Sequence, residues 1–211
     1  MLTVDHNIDC KEQLTTLSVY HKSDPQWVLF TSAKRRGDLC LFSTLLNHSV
    51  KMMSDSLITL LCSPTYRIVS EGHMPRVNGI TLCPVPYRSE SLACRGFSPQ
   101  HLIAERLQER LNIDLKRAES TPLNSWRARC DFDRLQRVKE TPAQTGLTRI
   151  ERLSAQSGSL RLNVQDQDSW HSELVIVIDD VVTTGSTITE SVRAFRESSI
   201  DLCYAVTIFA A

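Results

Sequence analysis

Apolar positions along the chain switch between helical spacing and short unbroken runs. From Asp38 to Met53, Leu41, Phe42, Leu45, Leu46 and Val50 recur on one helical face, and Asp38 after Gly37 reads as an N-cap. Ser98 and Pro99 open a second helix. The serine can cap it, and a proline in the first turn lacks an N–H that had no partner anyway. Leu102, Ile103, Leu107 and Leu111 give that helix its apolar stripe. Unbroken runs mark buried strands: Ile80 to Pro86, stopped by Pro84-Val85-Pro86, and Leu174 to Ile178. A helix from Ser186 to Glu197, with Ile188, Val192 and Phe195 inward, and a strand from Leu202 to Phe209 follow. Strand, helix and strand at this spacing imply a parallel sheet with a right-handed crossover, hence an α/β fold. Ser56 to Cys62 is a short apolar run, and Leu135 to Val138 a short strand. Trp27-Val28-Leu29-Phe30 fits a helix end or a strand, and periodicity does not decide. Residues 112–133 read as a hydrophilic surface loop or insertion. Residues 139–172 are polar, without a strong period, and long enough to suggest a functional loop.

Composition narrows the picture. A chain of 211 residues with 41% hydrophobic side chains can build one core-bearing domain. Lys+Arg and Asp+Glu both number 24, so net charge says nothing about nucleic acid or anionic membrane. The charges are unevenly spread. Residues 85–152 hold 13 basic and 9 acidic side chains, and residues 153–211 hold 3 and 8. That division suits basic groups facing phosphates and carboxylates facing hydroxyls, or simply solvated faces of unequal sign. The excess in 85–152 is small and no helix clusters Lys and Arg, which argues against direct nucleic-acid binding. The seven cysteines are scattered, with no C-x-x-C pair, so neither a zinc ribbon nor a disulfide framework is expected. No apolar leader is visible in Met1–Cys10, and no run approaches the ~20 residues of a spanning helix. The expectation is a cytoplasmic chain with no membrane partner, and a homodimer is compatible with it.

The chemistry concentrates after the Leu174–Ile178 strand. Asp179 and Asp180 come first, then Val181-Val182, then Thr183-Thr184-Gly185-Ser186-Thr187, then a helix. Ligands of open α/β sheets bind beyond the carboxyl ends of strands. A loop entering a helix there offers free N–H groups and the positive end of the helix dipole, which suit a phosphate. Gly185 permits close approach or positive φ, and four hydroxyls can donate. Two adjacent carboxylates suit a ribose diol. The plainer alternative is a strand-end turn followed by a capping stretch.

This segment resembles the phosphoribosyl pyrophosphate loop of type I phosphoribosyltransferases. The resemblance implies that Asp179 and Asp180 bind the ribose hydroxyls and that Thr183, Thr184, Gly185, Ser186 and Thr187 wrap the 5-phosphate. Pro84-Val85-Pro86-Tyr87-Arg88, Arg95-Gly96-Phe97, Lys34-Arg35-Arg36-Gly37-Asp38 and the stretch from Thr141 to Arg152 resemble the ComF branch of that family. That branch is named for a competence protein of DNA uptake and also includes proteins linked to gluconate use. The resemblance runs from about Tyr20 to the C-terminus. It implies a twisted parallel sheet with flanking helices plus a small hood, with residues 1–78 as the N-terminal or hood region. Residues 79–211 would form the core, with a loop insertion near 116–133. It further implies pyrophosphate contacts from Arg88 and Arg95, and a closing flexible loop carrying Arg149 and Arg152. Lys34 could contact a phosphate, but a solvated lysine is the plainer expectation.

The sequence departs from the branch in places. The four-cysteine zinc module is absent, so no zinc is expected. Ser98-Pro99 stands where the branch has Asn-Gln, and Ala155 replaces an asparagine. The implied ligand is phosphoribosyl pyrophosphate or a nucleotide, with Mg2+ carried by the pyrophosphate. The implied reaction is transfer of ribosyl phosphate to a base nitrogen. The alternative is a non-catalytic ribose-phosphate or nucleotide binder supporting DNA uptake.

Overall fold

The computed structural model describes residues 3–5, 16–63, 77–87, 89–119, 121–139, 158–163, 173–200 and 203–211. The chain order is β1 (Thr3–Asp5), β2 (Thr16–His21), α1 (Gln26–Arg36), α2 (Leu39–Cys62), β3 (Gly79–Pro84), α3 (Ser89–Arg95) and α4 (Pro99–Arg117). A 3-10 turn, Pro122–Ser125, precedes β4 (Ala128–Cys130), β5 (Leu135–Arg137) and β6 (Leu160–Leu162). Then come β7 (Glu173–Val182), α5 (Ser186–Arg196) and β8 (Cys203–Ala210).

The main sheet runs β1-β2-β8-β7-β3-β4. Five of these strands are mutually parallel, and β1 pairs antiparallel with β2. The protein is therefore α/β, a parallel sheet flanked by helices. Strand β2, from the N-terminal region, pairs with β8 inside this sheet. The β7 side chains alternate between the two faces, as a period of two requires. Leu174, Ile176 and Ile178 pack with Phe42, Leu46, Leu107 and Leu111 of α2 and α4. Val175 and Val177 pack with Ile188, Val192 and Phe195 of α5 on the other face. A strand covered on both faces reads as an unbroken apolar run, which is why the sequence marks it so clearly.

Both expected N-caps form. The Asp38 carboxylate accepts from the Leu41 N–H at 2.9 Å, and the Ser98 hydroxyl accepts from the His101 N–H at 3.3 Å. Helix α2 runs beyond Met53 to Cys62, because Leu57 and Leu61 extend the buried stripe at four-residue intervals. The Ser56–Cys62 run is therefore helix. Trp27-Val28-Leu29-Phe30 is also helical, within α1.

Residues 112–133, expected as a surface loop, hold the end of α4, the 3-10 turn and β4. Strand β4 joins the sheet at Ile80–Leu82. Its three residues are too few for a periodic signal. Tertiary contacts fix it instead: the Asn112 side-chain amide exchanges two hydrogen bonds of 2.9 Å with the Ala128 backbone. Leu123 and Trp126 are buried beneath it.

A separate antiparallel ribbon, β5–β6, stands beside the sheet. The Arg137 guanidinium donates to the Pro86 carbonyl at 3.1 Å. At the same end, on the paired strand, the Arg193 guanidinium donates to the Leu160 carbonyl at 3.1 Å, and the Leu160 N–H donates to buried Glu190 at 3.4 Å. The ribbon thus ties the segment after β3 to α5. Among the described residues, no helix is long and apolar enough to cross a membrane.

Candidate functional site

The site is built at the carboxyl end of β7. Strand pairing continues past Ile178 to Val182, with Asp179 opposite Thr207 and Val181 opposite Phe209 of β8. Asp179 and Asp180 are thus strand residues, beyond the Ile178 end that the apolar run suggested, and not a strand-end turn. Both are buried.

Beyond them residues 183–185 turn sharply. Gly185 has φ 73° and ψ −1°, the left-handed conformation that a side chain disfavours. The turn delivers the chain into α5, whose first turn has no side-chain cap and no acidic residue. The Ser186 N–H reaches the Thr184 hydroxyl at 3.5 Å, and the other leading N–H groups and the positive dipole end are available to an anion. The Thr184 hydroxyl donates to the Ser186 hydroxyl at 3.1 Å, which pins the turn. Asp179 and residues 181–188 line a pocket of about 240 Å³ including its mouth.

Three elements converge on the carboxylates. Lys34, in the last turn of α1, forms an ion pair with Asp180 Oδ2. Gln100, in the first turn of α4, donates from Nε2 to Asp179 Oδ1 and Asp180 Oδ1, each at 3.1 Å. The Asp180 N–H donates to Asp179 Oδ1 at 2.8 Å. Arg95 at the end of α3 adds a positive field at Asp180. Gly37 brings these elements together. At φ 67° it turns α1 into α2, and a Cβ there would lie 2.8 Å from the Arg95 carbonyl oxygen.

The surroundings push the two carboxyls apart. Burial, reinforced by the neighbouring Asp180 charge, pushes Asp179 up to about 7. Burial also pushes Asp180 upward, but the Lys34 ammonium outweighs it and holds Asp180 below the ordinary carboxylate value. The folded chain therefore keeps a proton on Asp179 that the unfolded chain loses near 3.8. Between those pH values the folded state binds more protons, so this group's contribution to stability falls as pH rises. Asp180 acts oppositely, stabilising above the ordinary carboxylate range and losing that contribution in more acid solution. The Asp179→Asn variant should accordingly melt above wild type at pH 8, with the advantage shrinking at pH 5. An equal difference at both pH values in thermal melts would contradict this.

The structure brings together more than the sequence marked. Lys34, expected to be solvated, is instead paired, with a side chain only 23% exposed. Its α1 position and the Gly37 turn bring it across 146 residues of chain to Asp180. Gln100 was not marked at all. The available signal was its place in the first turn after a serine cap, on a helix leaving the segment that follows β3. Arg95 lies within electrostatic reach of Asp180. Arg88, Arg149 and Arg152 lie outside the described residues.

An aromatic recess of about 300 Å³ including its mouth lies beside Asp180. Its walls are Trp27, Phe30 and Phe209, with Lys34 at the edge. Among the described residues no group of three His, Cys, Asp or Glu side chains could hold a metal ion, and Cys40, Cys62, Cys83, Cys94 and Cys130 form no disulfide.

Fold and site together define an α/β protein with a polar pocket where a buried carboxylate pair meets an uncapped helix N-terminus. The chain matches no family model and no curated protein. Among solved structures it is similar to a hypoxanthine phosphoribosyltransferase of Trypanosoma cruzi, studied for the role of its C-terminal region in oligomeric state and activity. That match has 16% identity and a TM-score of 0.38, covering 78% of this chain and 63% of the other. A point mutant of that organism's enzyme, complexed with the product IMP, gives 14% identity and a TM-score of 0.39. It covers 79% of this chain and 63% of the other. An alanine mutant at an invariant aspartic acid of such enzymes gives 16% and 0.38, covering 79% and 67%. These structural neighbours are type I phosphoribosyltransferases. The chain spans 63 to 67% of their length.

Proposed function

We propose that this protein binds phosphoribosyl pyrophosphate at the end of β7 and transfers its ribosyl phosphate to a ring nitrogen of a base. The observation that carries this reading is the junction of two features. A buried carboxylate pair lies near the end of a central parallel strand, and five residues after Asp180 a left-handed glycine opens an uncapped helix. A phosphorylated ribose needs both within one sugar's reach: acceptors for its diol and N–H donors for its 5-phosphate.

In this reading residues 183–187 hold the 5-phosphate. Asp179 and Asp180 serve the diol, and Arg88 and Arg95 serve the pyrophosphate, which a guanidinium's paired donors fit well. Arg149 and Arg152 belong to a loop closing over the site. Mg2+ enters on the ligand's own oxygens. That fits the donor set, since the described residues offer no protein cage and Mg2+ favours substrate oxygens with retained water. At C1 the bond to pyrophosphate breaks and a bond to the incoming nitrogen forms, with that nitrogen's proton passing to solvent. The protein contributes position and electrostatics. Strand β7 lies between β3 and β8. A leaving group on the β3 side and an acceptor ring in the aromatic recess on the β8 side would satisfy in-line displacement. We assign the chain to the ComF-like branch as one domain with an N-terminal hood, on the motifs from Lys34 to Arg152.

A pyrophosphate-release assay with a panel of purine and pyrimidine bases tests this. Magnesium-dependent release with one base is expected. Tight binding without release from any base would favour a sensor. Absence of binding would end the ribosyl-phosphate reading.

A further inference from the structure

The two aspartates of the motif are not equivalent in their surroundings. Consecutive strand residues face opposite sides of a sheet, and β7 extends through both positions. Asp179 lines the pocket of the 183–187 turn, and Asp180 lines the aromatic recess of α1. Asp180 Oδ2 is taken by Lys34, and its Oδ1 by Gln100. Asp179 Oδ1 accepts from Gln100 and from the Asp180 N–H. The two carboxyls also hydrogen-bond one another, and of the pair it is Asp180 that has a cation in contact.

We propose that Lys34 and Gln100 are positioning residues that divide this pair, anchoring Asp180 to α1 and α4 and presenting Asp179 as the carboxyl that meets the ligand. The inference deepens the ribosyl-phosphate reading and rests on it for the ligand, but the division itself is a property of the free protein. Four elements face the pair with charge or hydrogen bonds: Lys34 from α1, Arg95 from α3, Gln100 from α4, and each aspartate from β7 to the other. Lys34 is the cation in contact. Removing it would leave Asp180 buried beside a second carboxyl, with Arg95 as the remaining positive field. The pair's shared proton would then redistribute, because two adjacent buried carboxylates resist ionising together. Through Asp180, the position of α1 would therefore govern which carboxyl the ligand meets.

Two measurements test this. The first is a ligand-free titration of the aspartate side-chain carboxyl carbons by NMR. Asp180 should ionise at lower pH than Asp179 in wild type, move upward in Lys34→Met, and return in Lys34→Arg. The second is calorimetry with phosphoribosyl pyrophosphate and magnesium across pH. Asp179→Asn should weaken binding by about 10- to 100-fold, the range of a lost hydrogen bond to a charged group. Lys34→Met should weaken it by about 3- to 10-fold and shift the pH midpoint. Lys34→Met combined with Asp180→Asn should be no worse than Asp180→Asn alone, as coupled partners require. An unmoved Asp180 titration in Lys34→Met overturns the inference, as does an Asp180→Asn loss equal to that of Asp179→Asn. Failure of the wild type to bind would instead sink the ribosyl-phosphate reading, and the titration would still decide the division of the pair.

Discussion

The double variant Asp179→Asn, Asp180→Asn is expected to fold and to lose phosphoribosyl pyrophosphate binding by about 100-fold or more. The lost Asp179 contact, worth about 1.5–3 kcal/mol as a hydrogen bond to a charged group, and the loss of the Asp180 anchor that positions it set that scale. Asparagine keeps the shape of each side chain, so the packing of β7 against both helical layers is retained. The variant also relieves the burial of two adjacent carboxyls. It leaves the Lys34 ammonium without its anion, and the 23% exposure of that side chain lets water take over part of the role. Calorimetry with magnesium present reads the affinity, and near-ultraviolet circular dichroism checks the fold. Unchanged affinity in a folded double variant would remove the ribose from this end of β7.

Replacing Gly37 by valine should cost about 2–4 kcal/mol of stability, from a left-handed β-branched residue and an atomic overlap together. The overlap is with backbone: a Cβ at Gly37 falls 2.8 Å from the Arg95 carbonyl oxygen. Neither partner can rotate away, so the α1–α2 turn and the end of α3 must separate. For a chain of this size each kcal/mol lowers the melting temperature by roughly 2–4 °C. The same separation would draw Lys34 and Arg95 from Asp180, so ligand affinity should fall with stability. Gly96 supplies the control. It has φ 76° but nothing within 4 Å of its Cβ position, so Gly96→Ala reports the conformational cost alone, about 1 kcal/mol. If Gly37→Ala and Gly96→Ala melt together, the close approach to Arg95 has no energetic weight.

Individual residues reveal which parts of this protein are encoded locally. Ser98-Pro99 announces the start of α4 because a cap and a first-turn proline act within three residues. Leu174–Ile178 announces β7 because that strand is covered on both faces. Strand β4 is silent in the sequence because three residues carry no period and because Asn112 and the strand β3 backbone, both distant in sequence, hold it in place. The end of β7 was misplaced for a related reason. Two carboxylates normally close a strand, and only pairing with Thr207 and Phe209 of β8 carries the strand past them.

The same division runs through the candidate site. The spacing from Asp179 to Thr187 determined by itself a carboxylate pair, a glycine turn and a helix N-terminus, since all three depend on neighbouring residues. Only the tertiary structure decided that the two carboxylates differ. Lys34 and Gln100 reach them from 146 and about 80 residues away. The burial that makes their contacts consequential arises only when α1, α4 and β7 pack. Local order encodes the groups of this site, and the packed chain assigns their charges.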